Sequence, residues 1–510
     1  MNNKLITNIP NKFYITTPIY YANGRFHLGH AYTTIAADVF TRYYRLLGTD
    51  VFFLTGTDEH GLKVSQTAQD EGVPVQQYID NLINDVKKSW KELDISYNNF
   101  IRTTDNAHIE FVKSIAKKMF DNGDIYFGEY EGYYCKGCES FYTEKDLVNT
   151  KCPEGHPVTL EKEKAYFFKL TKYQDWLLDY IEKNSKFLQP ESNRNEIIAF
   201  LKRGLQDLCI SREKVSWGIP FPPDEKYTIY VWLDALFNYV SGLGGFESNN
   251  FKKYWQPDLQ LMGKEIFRFH AIYWPIFLHS LDYPLPKIIF AHGWWTSEGQ
   301  KMSKSFNNMI YAEDYTSKYG VDTFRYYLLR EVSFGSDGSF SKKTFVDRIN
   351  HDLVSEIGNL YSRVLTLAQK KNQDTGYKYY KDELGSKIEE RIKSIHEKYQ
   401  AIDLTRALFD VFEIASFANK YVQENKPWEL ITTNPEKFDQ VMYSLLETLR
   451  ILALELSPFL TSKWKVAFEQ LGLDINNQDH KILEYTNIME NKIVKRGEYL
   501  FEKVDEEKKI

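Results

Sequence analysis

Near its N-terminus the chain reads Pro18-Ile-Tyr-Tyr-Ala-Asn-Gly-Arg-Phe-His27-Leu28-Gly29-His30. A short β-rich run at residues 13–17 comes directly before this stretch. Residues 28–47 then carry apolar side chains at helical spacing and stop before Gly48, a residue typical of helix C-caps. A second β-rich run follows at residues 51–54. This order of strand, helix and strand predicts a parallel βαβ unit, in which ligands bind where strands end and helices begin.

In the rest of the chain, the composition and the spacing of apolar residues change twice. Residues from about 120 to 216 have short segments, clustered cysteines and many Lys and Glu residues, which indicates an insertion. The α/β pattern resumes with compact β-rich runs at residues 227–231, 259–262 and 287–291. Amphipathic stretches then predict a helical bundle, at residues 351–371, 383–400, 404–424 and 436–457.

The composition is that of a large globular protein. The chain has 510 residues, 43% hydrophobic and 26% charged, which suggests three or four domains. No apolar run approaches 18 residues and the N-terminus lacks a secretory signal, so we expect no membrane segment. Four cysteines are too few for a disulfide framework at this length, which favours a reducing compartment. Because the net charge is −6, a polyanionic partner requires a local basic patch.

The turn at the start of the predicted helix has the features of a phosphate site. Free backbone N–H groups and the helix dipole attract an anion, and Gly29 permits its close approach. His27 and His30 add imidazole donors. The alternative is two polar residues in a helix's first turn, without a ligand.

A second segment with phosphate-binding chemistry ends in Lys301-Met302-Ser303-Lys304-Ser305. Two lysines flanked by small residues in a Gly-containing loop can fold onto a triphosphate. Phosphoryl and nucleotidyl transfer depend mainly on positioning and charge neutralisation, which such a loop supplies. A solvated basic loop is the alternative.

The cysteines of the insertion have zinc-knuckle spacing: Cys135-x2-Cys138, then Cys152-x3-His156. Three thiolates and one imidazole complete a closed tetrahedral site of the structural kind. Reduced cysteines without metal are the alternative. Cys209 is remote in sequence and is interpreted as a buried small hydrophobic residue.

The two basic motifs together resemble the signatures of class I aminoacyl-tRNA synthetases. His27-Leu-Gly-His30 is similar to the "HIGH" motif and residues 301–305 match "KMSKS". Within that class, the segments at residues 15–24, 55–61 and 230–235 resemble methionyl-tRNA synthetases, and the similarity runs from about residue 13 to the end. The resemblance implies an α/β fold: a Rossmann-like parallel-sheet catalytic domain with a zinc-knuckle connective insertion, followed by an α-helical anticodon-binding bundle.

The resemblance and the changes in sequence pattern along the chain predict five segments. Residues 1–116 and 217–295 form the two halves of the catalytic nucleotide-binding domain, and residues 117–216 form the connective insertion with the zinc knuckle. Residues 296–348 hold the KMSKS loop and a stem-contact region. Residues 349–510 form the helical anticodon-binding domain. The chain ends near the end of the shorter family members, so we expect no appended tRNA-binding or dimerising domain.

The resemblance implies a methionine–tRNA ligase. The methionine carboxylate attacks the α-phosphorus of ATP, and the terminal adenosine hydroxyl of tRNA(Met) then takes the aminoacyl group. Mg²⁺ accompanies the ATP. The catalytic residues implied are His27, His30, Lys301 and Lys304. The ATP-binding residues implied are His27, Gly29, His30, Gly293 and Lys304.

Free methionine presents an ammonium and a flexible thioether, so its site needs an anion beside an apolar, polarizable pocket. Asp58, in a polar turn after the second strand, can pair with the ammonium, although a turn or N-cap aspartate is the alternative. Two stripes of aromatic and apolar side chains lie at helical spacing. The alternative is that both stripes are ordinary residues of the hydrophobic core. The resemblance implies a methionine pocket lined by Ile19, Tyr21, Asp58, Trp232, Ala235, Tyr239, Ile266, His270 and Trp274. Leu236 departs from the Pro of some members.

For the insertion, the resemblance implies one structural Zn²⁺ held by Cys135, Cys138, Cys152 and His156. Family members usually place the fourth ligand two residues after the third. Here His156 is farther from Cys152 than that spacing, which leaves the fourth ligand open, with Glu154 or water as candidates.

In the helical region, Asn359 and Arg363 are four residues apart on one helix face, and Trp428 follows Pro427. Unpaired RNA bases are read by edge hydrogen bonds and by aromatic or guanidinium stacking. Without the resemblance, these three residues would be interpreted as contacts between helices. The resemblance implies that Asn359, Arg363 and Trp428 read the anticodon.

Rival hypotheses make different demands on the chain. The span between the two basic motifs is too short for the large editing domain of the Ile, Val and Leu enzymes, and a Cys enzyme needs zinc beside its pocket. A silent tRNA-binding paralogue does not need intact motifs, and a small nucleotidyltransferase has no use for the bundle. We expect a cytoplasmic monomer.

Overall fold

The computed structural model describes residues 5–22, 24–135, 140–142, 144–153, 155–213, 215–302, 308–371 and 374–505. The strands are β1 (Lys12–Tyr21), β2 (Asp50–Asp58), β3 (Asn99–Arg102), β4 (Ile125–Cys135), β5 (Ser140–Tyr142), β6 (Thr159–Phe168), β7 (Leu188–Gln189), β8 (Leu208–Cys209), β9 (Ser211–Arg212), β10 (Thr228–Ile229), β11 (Leu259–Gly263), β12 (Ile289–His292), β13 (Trp295–Ser297), β14 (Gln300–Lys301) and β15 (Gly338–Phe340).

The α-helices before residue 349 surround these strands. They are α1 (Leu28–Leu46), α2 (Leu62–Asp70), α3 (Val75–Glu92), α4 (Asn106–Asp121), α5 (Gln174–Lys183), α6 (Glu191–Leu201), α7 (Val231–Leu236), α8 (Asn238–Ser241), α9 (Asn249–Tyr254), α10 (Trp274–Ser280), α11 (Ala312–Tyr319), α12 (Val321–Arg330) and α13 (Lys342–Arg348). Short 3₁₀ turns occur at Glu144–Asp146, Leu170–Tyr173 and Lys264–Ile266, and a π-helical turn occurs at Phe269–Tyr273.

The C-terminal part is helical, as the amphipathic stretches predict. A π-helical segment at Ile349–Gly358 leads into α14 (Asn359–Ala368), α15 (Glu383–Gln400), α16 (Leu404–Asn425), α17 (Pro427–Thr433), α18 (Pro435–Leu456) and α19 (Lys463–Gln470), and a 3₁₀ turn follows at Gln478–Lys481. Helices α15, α16 and α18 pack against one another through buried apolar faces. No helix in the described ranges combines the length and apolarity needed to cross a bilayer.

The central sheet has the strand order β3-β2-β1-β11-β12-β7, and every neighbouring pair in it is parallel. β1 and β2 are buried along almost their whole length, as expected for strands covered on both faces. The predicted unit of strand, helix and parallel strand is confirmed as β1, α1 and β2. The β-rich runs at residues 259–262 and 287–291 are confirmed as β11 and β12.

Two features of the sheet differ from expectation. The run at residues 227–231 is extended only at β10, which pairs with β9 in a separate antiparallel ribbon, and α7 begins at Val231. β7 comes from inside the predicted insertion yet pairs in parallel with β12 at the sheet edge. Pairing with a distant strand is a tertiary property that local patterns do not carry.

The predicted insertion contains an antiparallel sheet of order β5-β4-β6-β8. Its main element is a long hairpin in which β4 pairs with β6 from Ile125 opposite Phe168 to Tyr134 opposite Thr159. β4 ends at Cys135, and the segment that precedes β6 contains Cys152 and His156. The hairpin therefore returns the chain to the end of β4 and brings two distant parts of the cysteine motif together.

Helix α1 connects the central sheet to the bundle. In its C-terminal half, the ring of Tyr43 stacks on Tyr399 of α15 with centroids 3.5 Å apart. Asp38 forms a fully buried ion pair with Arg325 of α12 at 2.6 Å, and the same guanidinium donates to the backbone oxygens of Pro458 and Phe459. The sheet and the bundle share one continuous apolar core around this helix.

Candidate active site

A cavity of about 510 Å³ opens at the carboxyl ends of β1, β2, β11 and β12. The last residues of these strands, Tyr21, Asp58, Gly263 and His292, all line it. The carboxyl edge of a parallel sheet is where α/β proteins bind their ligands. The structure also places on this wall most sequence-predicted site residues, namely Ile19, Tyr21, His27, Gly29, His30, Asp58, Trp232, Ala235, Tyr239, Ile266, His270, Gly293 and Lys301.

One end of the cavity is the N-terminus of α1. His27 is the N-cap, and its Nδ1 accepts from the backbone N–H of Gly29 at 3.1 Å, while Nδ1 of His30 accepts from the backbone N–H of His27 at 3.0 Å. Because each Nδ1 is an acceptor, each neutral ring carries its proton on Nε2. Burial lowers the pKa of His27 and lowers that of His30 well below its usual range. At neutral pH both rings therefore offer N–H donors without a full charge.

Two glycines let the backbone come close at this end. A Cβ on Gly29 would lie 3.0 Å from the ring of His27. A Cβ on Gly293 would lie 2.3 Å from the backbone of Ser336, so only glycine fits there. His292, which the motif analysis missed, lines the cavity and has its Nε2 2.6 Å from the Oγ1 of Thr33 on α1.

The other end of the cavity contains Asp58, which is 3% exposed. The residues that follow it are fixed from two sides. Glu59 is buried and paired with Arg102 of β3 at 2.9 Å, and Nδ1 of His60 lies 2.7 Å from Asp234 of α7. These contacts anchor the end of β2 and with it the position of the Asp58 carboxylate.

Asp234 has a second histidine partner. Its other carboxylate oxygen lies 2.7 Å from Nε2 of His108 on α4, whose Nδ1 lies 2.7 Å from the Oγ of Ser241. The two buried histidines keep the pKa of Asp234 below its usual range despite burial. The sequence analysis did not select this cluster, although His60 and Asp234 stand inside two of the quoted segments. Their pairing joins the loop after β2 to helix α7.

Aromatic side chains form the apolar wall beside Asp58. Trp232 stacks on Phe269 with centroids 3.8 Å apart. Nδ1–H of His270 donates to the backbone oxygen of Ile266 at 3.0 Å, so its Nε2 accepts from the hydroxyl of Tyr239 at 2.7 Å. Burial lowers the pKa of His270 to about 4. This wall is therefore uncharged at neutral pH and suits an apolar, polarizable group.

One predicted residue of the methionine pocket lies elsewhere. Trp274 is fully buried outside the cavity wall, where its ring packs against Tyr239 at 5.7 Å and its indole N–H donates to Gln260 at 3.1 Å. Lys304 lies outside the described residues, so its position stays a prediction. Lys301, at the end of β14, lines the cavity.

The cysteine motif of the insertion converges in space. The ligand atoms of Cys135, Cys152 and His156 all lie within 4.8 Å of one another, with both cysteines buried and the histidine exposed. The backbone N–H of His156 also donates to the Sγ of Cys152 at 3.3 Å. Cys138 lies outside the described residues. Two thiols and one imidazole are ligands that Zn²⁺ prefers, so this donor set fits the metal.

The three residues assigned to the anticodon lie on two helices of the bundle. Asn359 is exposed at the start of α14. Arg363 is half-buried and donates to Asn419 of α16 at 2.7 Å, a contact of the interhelical kind. Trp428 is 41% exposed on α17, directly after Pro427.

Comparisons with known proteins give one consistent result. The family model described as "tRNA synthetases class I (M)" matches residues 13–159 and 154–365, and the one described as "Anticodon binding domain of methionyl tRNA ligase" matches residues 373–510. The chain is 46% identical over 508 residues to the methionine–tRNA ligase of Caldanaerobacter subterraneus subsp. tengcongensis, covering 98% of this chain and 80% of the relative.

Two further matches agree. The chain is 45% identical over 525 residues to the methionine–tRNA ligase of Bacillus subtilis, covering 98% of this chain and 79% of that protein. Among solved structures, Mycobacterium tuberculosis methionyl-tRNA synthetase in complex with methionyl-adenylate superimposes with a TM-score of 0.91 at 37% identity, covering 96% of this chain and 99% of that one.

Proposed function

This chain belongs to the methionyl-tRNA synthetases, a family of class I tRNA synthetases, and we propose that the residues around its active-site cavity divide the reaction between them. The reaction activates methionine with ATP to methionyl-adenylate and transfers the methionyl group to the 3′ end of tRNA(Met). One observation carries the division of roles: neutral histidine donors at a helix N-terminus occupy one end of the cavity, and Asp58 beside an uncharged aromatic wall occupies the other.

The first step is an in-line displacement at phosphorus. A carboxylate oxygen of methionine attacks the α-phosphorus of ATP, the bond to the bridging oxygen breaks, and pyrophosphate leaves. The substrate is itself the nucleophile, so the protein acts by positioning and charge stabilisation. His27 and His30 donate Nε2–H to phosphate oxygens. Gly29 and the backbone at Gly293 make room for the adenosine.

Full positive charge comes from elsewhere. Lys301 and Lys304 neutralise the departing pyrophosphate, and Mg²⁺ bound with ATP supplies further charge neutralisation on the phosphates. In the second step a hydroxyl of the terminal adenosine of tRNA attacks the carbonyl carbon of the adenylate, and AMP leaves. The first step needs methionine and ATP held in place between the two ends of the cavity, and the second step needs the adenylate held there.

Recognition of methionine combines charge and shape. Asp58 pairs with the ammonium in a buried setting where an ion pair is weakly screened. Trp232, Tyr239 and His270 surround the thioether with uncharged surface, supported by Ile19, Tyr21, Ala235 and Ile266. Trp274 acts from behind this wall, by packing against Tyr239.

The assay for the whole assignment is exchange of pyrophosphate into ATP driven by each of the twenty amino acids in the absence of tRNA. Methionine should drive exchange far better than any other amino acid. Exchange driven by isoleucine or cysteine instead would overturn the assignment of this pocket.

We also propose that Cys135, Cys138, Cys152 and His156 hold one structural Zn²⁺. The convergence of three of these groups at the end of the β4–β6 hairpin supports it, and the longer spacing to His156 still leaves the imidazole beside the two thiols. A closed zinc site couples metal binding to local folding, so it would fix the tip of the insertion against the catalytic domain.

Cys135→Ser is expected to lower the zinc content from about one per chain to a small fraction of that, because one of four ligands and its negative charge are lost. Elemental analysis of purified protein after mild chelation measures this. Cys209→Ser is the matched control and should keep its zinc. If Cys135→Ser kept stoichiometric zinc, the metal would have to be held elsewhere. Zinc retained by His156→Ala would assign the fourth ligand to another group.

We propose that Asn359, Arg363 and Trp428 contact the anticodon. The exposed amide of Asn359 suits hydrogen bonds to base edges, and the exposed indole of Trp428 suits stacking on an unpaired base. The four boundaries between the five segments, after residues 116, 216, 295 and 348, stay predictions. We also propose that the protein acts in the cytoplasm, where translation consumes the aminoacyl-tRNA, and that it is a monomer.

Trp428→Ala is expected to lower kcat/KM for charging tRNA with a CAU anticodon by roughly 5- to 150-fold, since loss of stacking on one base costs about 1–3 kcal/mol. Pyrophosphate exchange without tRNA should keep its rate, because α17 belongs to the bundle and not to the cavity. Phe409→Ala is the matched control, an exposed aromatic residue on α16. A parallel fall in charging and exchange would identify Trp428 as a packing residue.

A further inference from the structure

A second cavity, of about 450 Å³, adjoins the active-site cavity. The two cavities share five wall residues: Tyr21, Trp232, Glu265, Ile266 and Trp294. Three of these belong to the proposed methionine pocket. By contrast, His27, Gly29, His30 and Gly293 line only the first cavity. The second cavity therefore meets the active site at its methionine end and not at its phosphate end.

The far wall of the second cavity comes from the insertion. Tyr142, Pro153 and His156 contribute from the hairpin and knuckle, and Asn193 and Glu196 contribute from α6. Glu196 is mostly exposed and its carboxylate lies 3.8 Å from the half-exposed guanidinium of Arg268. The cavity thus lies between insertion and catalytic domain and adjoins the methionine end of the active-site cavity.

Trp294 stands where the two cavities meet, and it is 41% exposed although its neighbour Trp295 is buried. Its indole N–H donates to Glu265 at 2.9 Å, and its backbone N–H donates to Asp337 at 2.7 Å. Lys264 is bound to the same Asp337 at 2.7 Å, and its Nζ lies 4.1 Å from the indole centroid. Polar contacts therefore hold this ring in one orientation while much of its surface stays open to solvent.

An oriented, exposed indole with cations beside it has the chemistry of a site for unpaired nucleotides. Single-stranded nucleic acids are bound by aromatic rings that stack on bases and by basic side chains that follow the phosphates. Lys264 lies at the indole, and Arg268 is a partly exposed residue of the second cavity's wall, so both can contact a backbone that enters from solvent. Glu265 holds the indole through its N–H, at the ring edge, and Lys264 lies over one ring face, so a base would stack on the opposite face.

We propose that the second cavity receives the unpaired 3′ end of tRNA and that Trp294 stacks on one of its bases. The inference rests on the proposed function, because it requires an adenylate in the first cavity. A chain entering through this cavity brings its terminal hydroxyl to the adenylate from the methionine side, opposite the phosphates held at α1. Trp294 then acts as a positioning residue for the transfer step.

The test separates transfer from activation. Enzyme-bound methionyl-adenylate is formed first, and its single-turnover transfer is followed to full-length tRNA and to an acceptor-stem minihelix without an anticodon. Exchange of pyrophosphate without tRNA is measured on the same variants. Trp294→Leu is expected to slow transfer roughly 5- to 150-fold relative to its effect on exchange, by the same factor for both RNAs.

Trp294→Phe keeps an aromatic face and should recover most of the transfer rate, whereas leucine supplies apolar surface without stacking. Equal losses in the leucine and phenylalanine variants would overturn the stacking role. Loss of exchange as large as the loss of transfer would assign Trp294 to the adenylate instead. Absence of methionine-dependent exchange in the unmodified enzyme would contradict the proposed function itself, which is a distinct outcome.

Arg268→Ala tests the second cavity independently, because Arg268 lines this cavity and not the first. Loss of one contact to a single-strand phosphate should lower the slope of log affinity against log salt concentration by about 0.7 for the minihelix. Minihelix affinity and salt dependence equal to those of the unmodified enzyme would show that the RNA takes another route.

Discussion

Lys304→Ala is expected to slow methionyl-adenylate formation by two to four powers of ten, about 3–5 kcal/mol, through lost charge stabilisation at the phosphoryl centre. The effect should be large because burial keeps His27 and His30 neutral, so these rings donate hydrogen bonds but do not offset the charge of the leaving pyrophosphate. Rapid-quench measurement of adenylate formation in a single turnover gives the rate directly.

Methionine affinity provides the internal control for this variant. Lys304 has no expected role in binding the free amino acid, so the methionine dissociation constant measured without ATP should change less than threefold. Lys304→Arg keeps the charge and should be less impaired than the alanine variant. Adenylate formation at the normal rate in Lys304→Ala would mean that the loop serves another purpose.

Asp58→Asn is expected to raise the methionine dissociation constant by roughly 30- to 5,000-fold, about 2–5 kcal/mol, because a buried ammonium loses its carboxylate partner while size and shape are kept. The aromatic residues of the surrounding wall cannot replace the lost charge, since His270 is held neutral with a pKa of about 4. Calorimetry with methionine in the absence of ATP measures the change.

A ligand variant sharpens the Asp58 experiment. The α-hydroxy analogue of methionine lacks the ammonium, so it should bind the unmodified protein and Asp58→Asn with similar affinity. Asp50→Asn is the matched control at the other end of the same strand, where the carboxylate is half-exposed and paired with Lys253. Similar losses for methionine and its hydroxy analogue would show that Asp58 shapes the pocket without pairing with the ammonium.

Local patterns in the sequence predicted the parts of the fold that local physics controls. The helical spacing before Gly48 and the β-rich runs on either side of it were sufficient for β1, α1 and β2. Residues 227–231 were misassigned because a β-rich composition fits both a short ribbon and the start of a buried helix. The addition of β7 to the central sheet depends on a partner about a hundred residues away.

The candidate site shows the same difference between residues with a local sequence signal and residues whose contacts form only on folding. Motif positions identified Asp58 and the two histidines at α1, since their neighbours in sequence carry the signal. The residues that fix Asp58 were missed, because Glu59 pairs with Arg102 and His60 pairs with Asp234 only after the chain has folded. Trp294 was missed for another reason: sequence alone did not distinguish an exposed indole from the buried one next to it.

The burial of Asp38 and Tyr43 against Arg325 and Tyr399 limits how this enzyme can be truncated or recombined with a relative. One end of helix α1 forms the phosphate turn, and its other half packs against Tyr399 of the bundle and against Arg325 of α12, which itself donates to the backbone of the bundle. A fragment truncated before residue 349 would expose the apolar surface of Tyr43 that α15 now covers. The two parts are therefore not interchangeable modules, and a chimera that borrows the bundle of a relative must also borrow the matching face of α1.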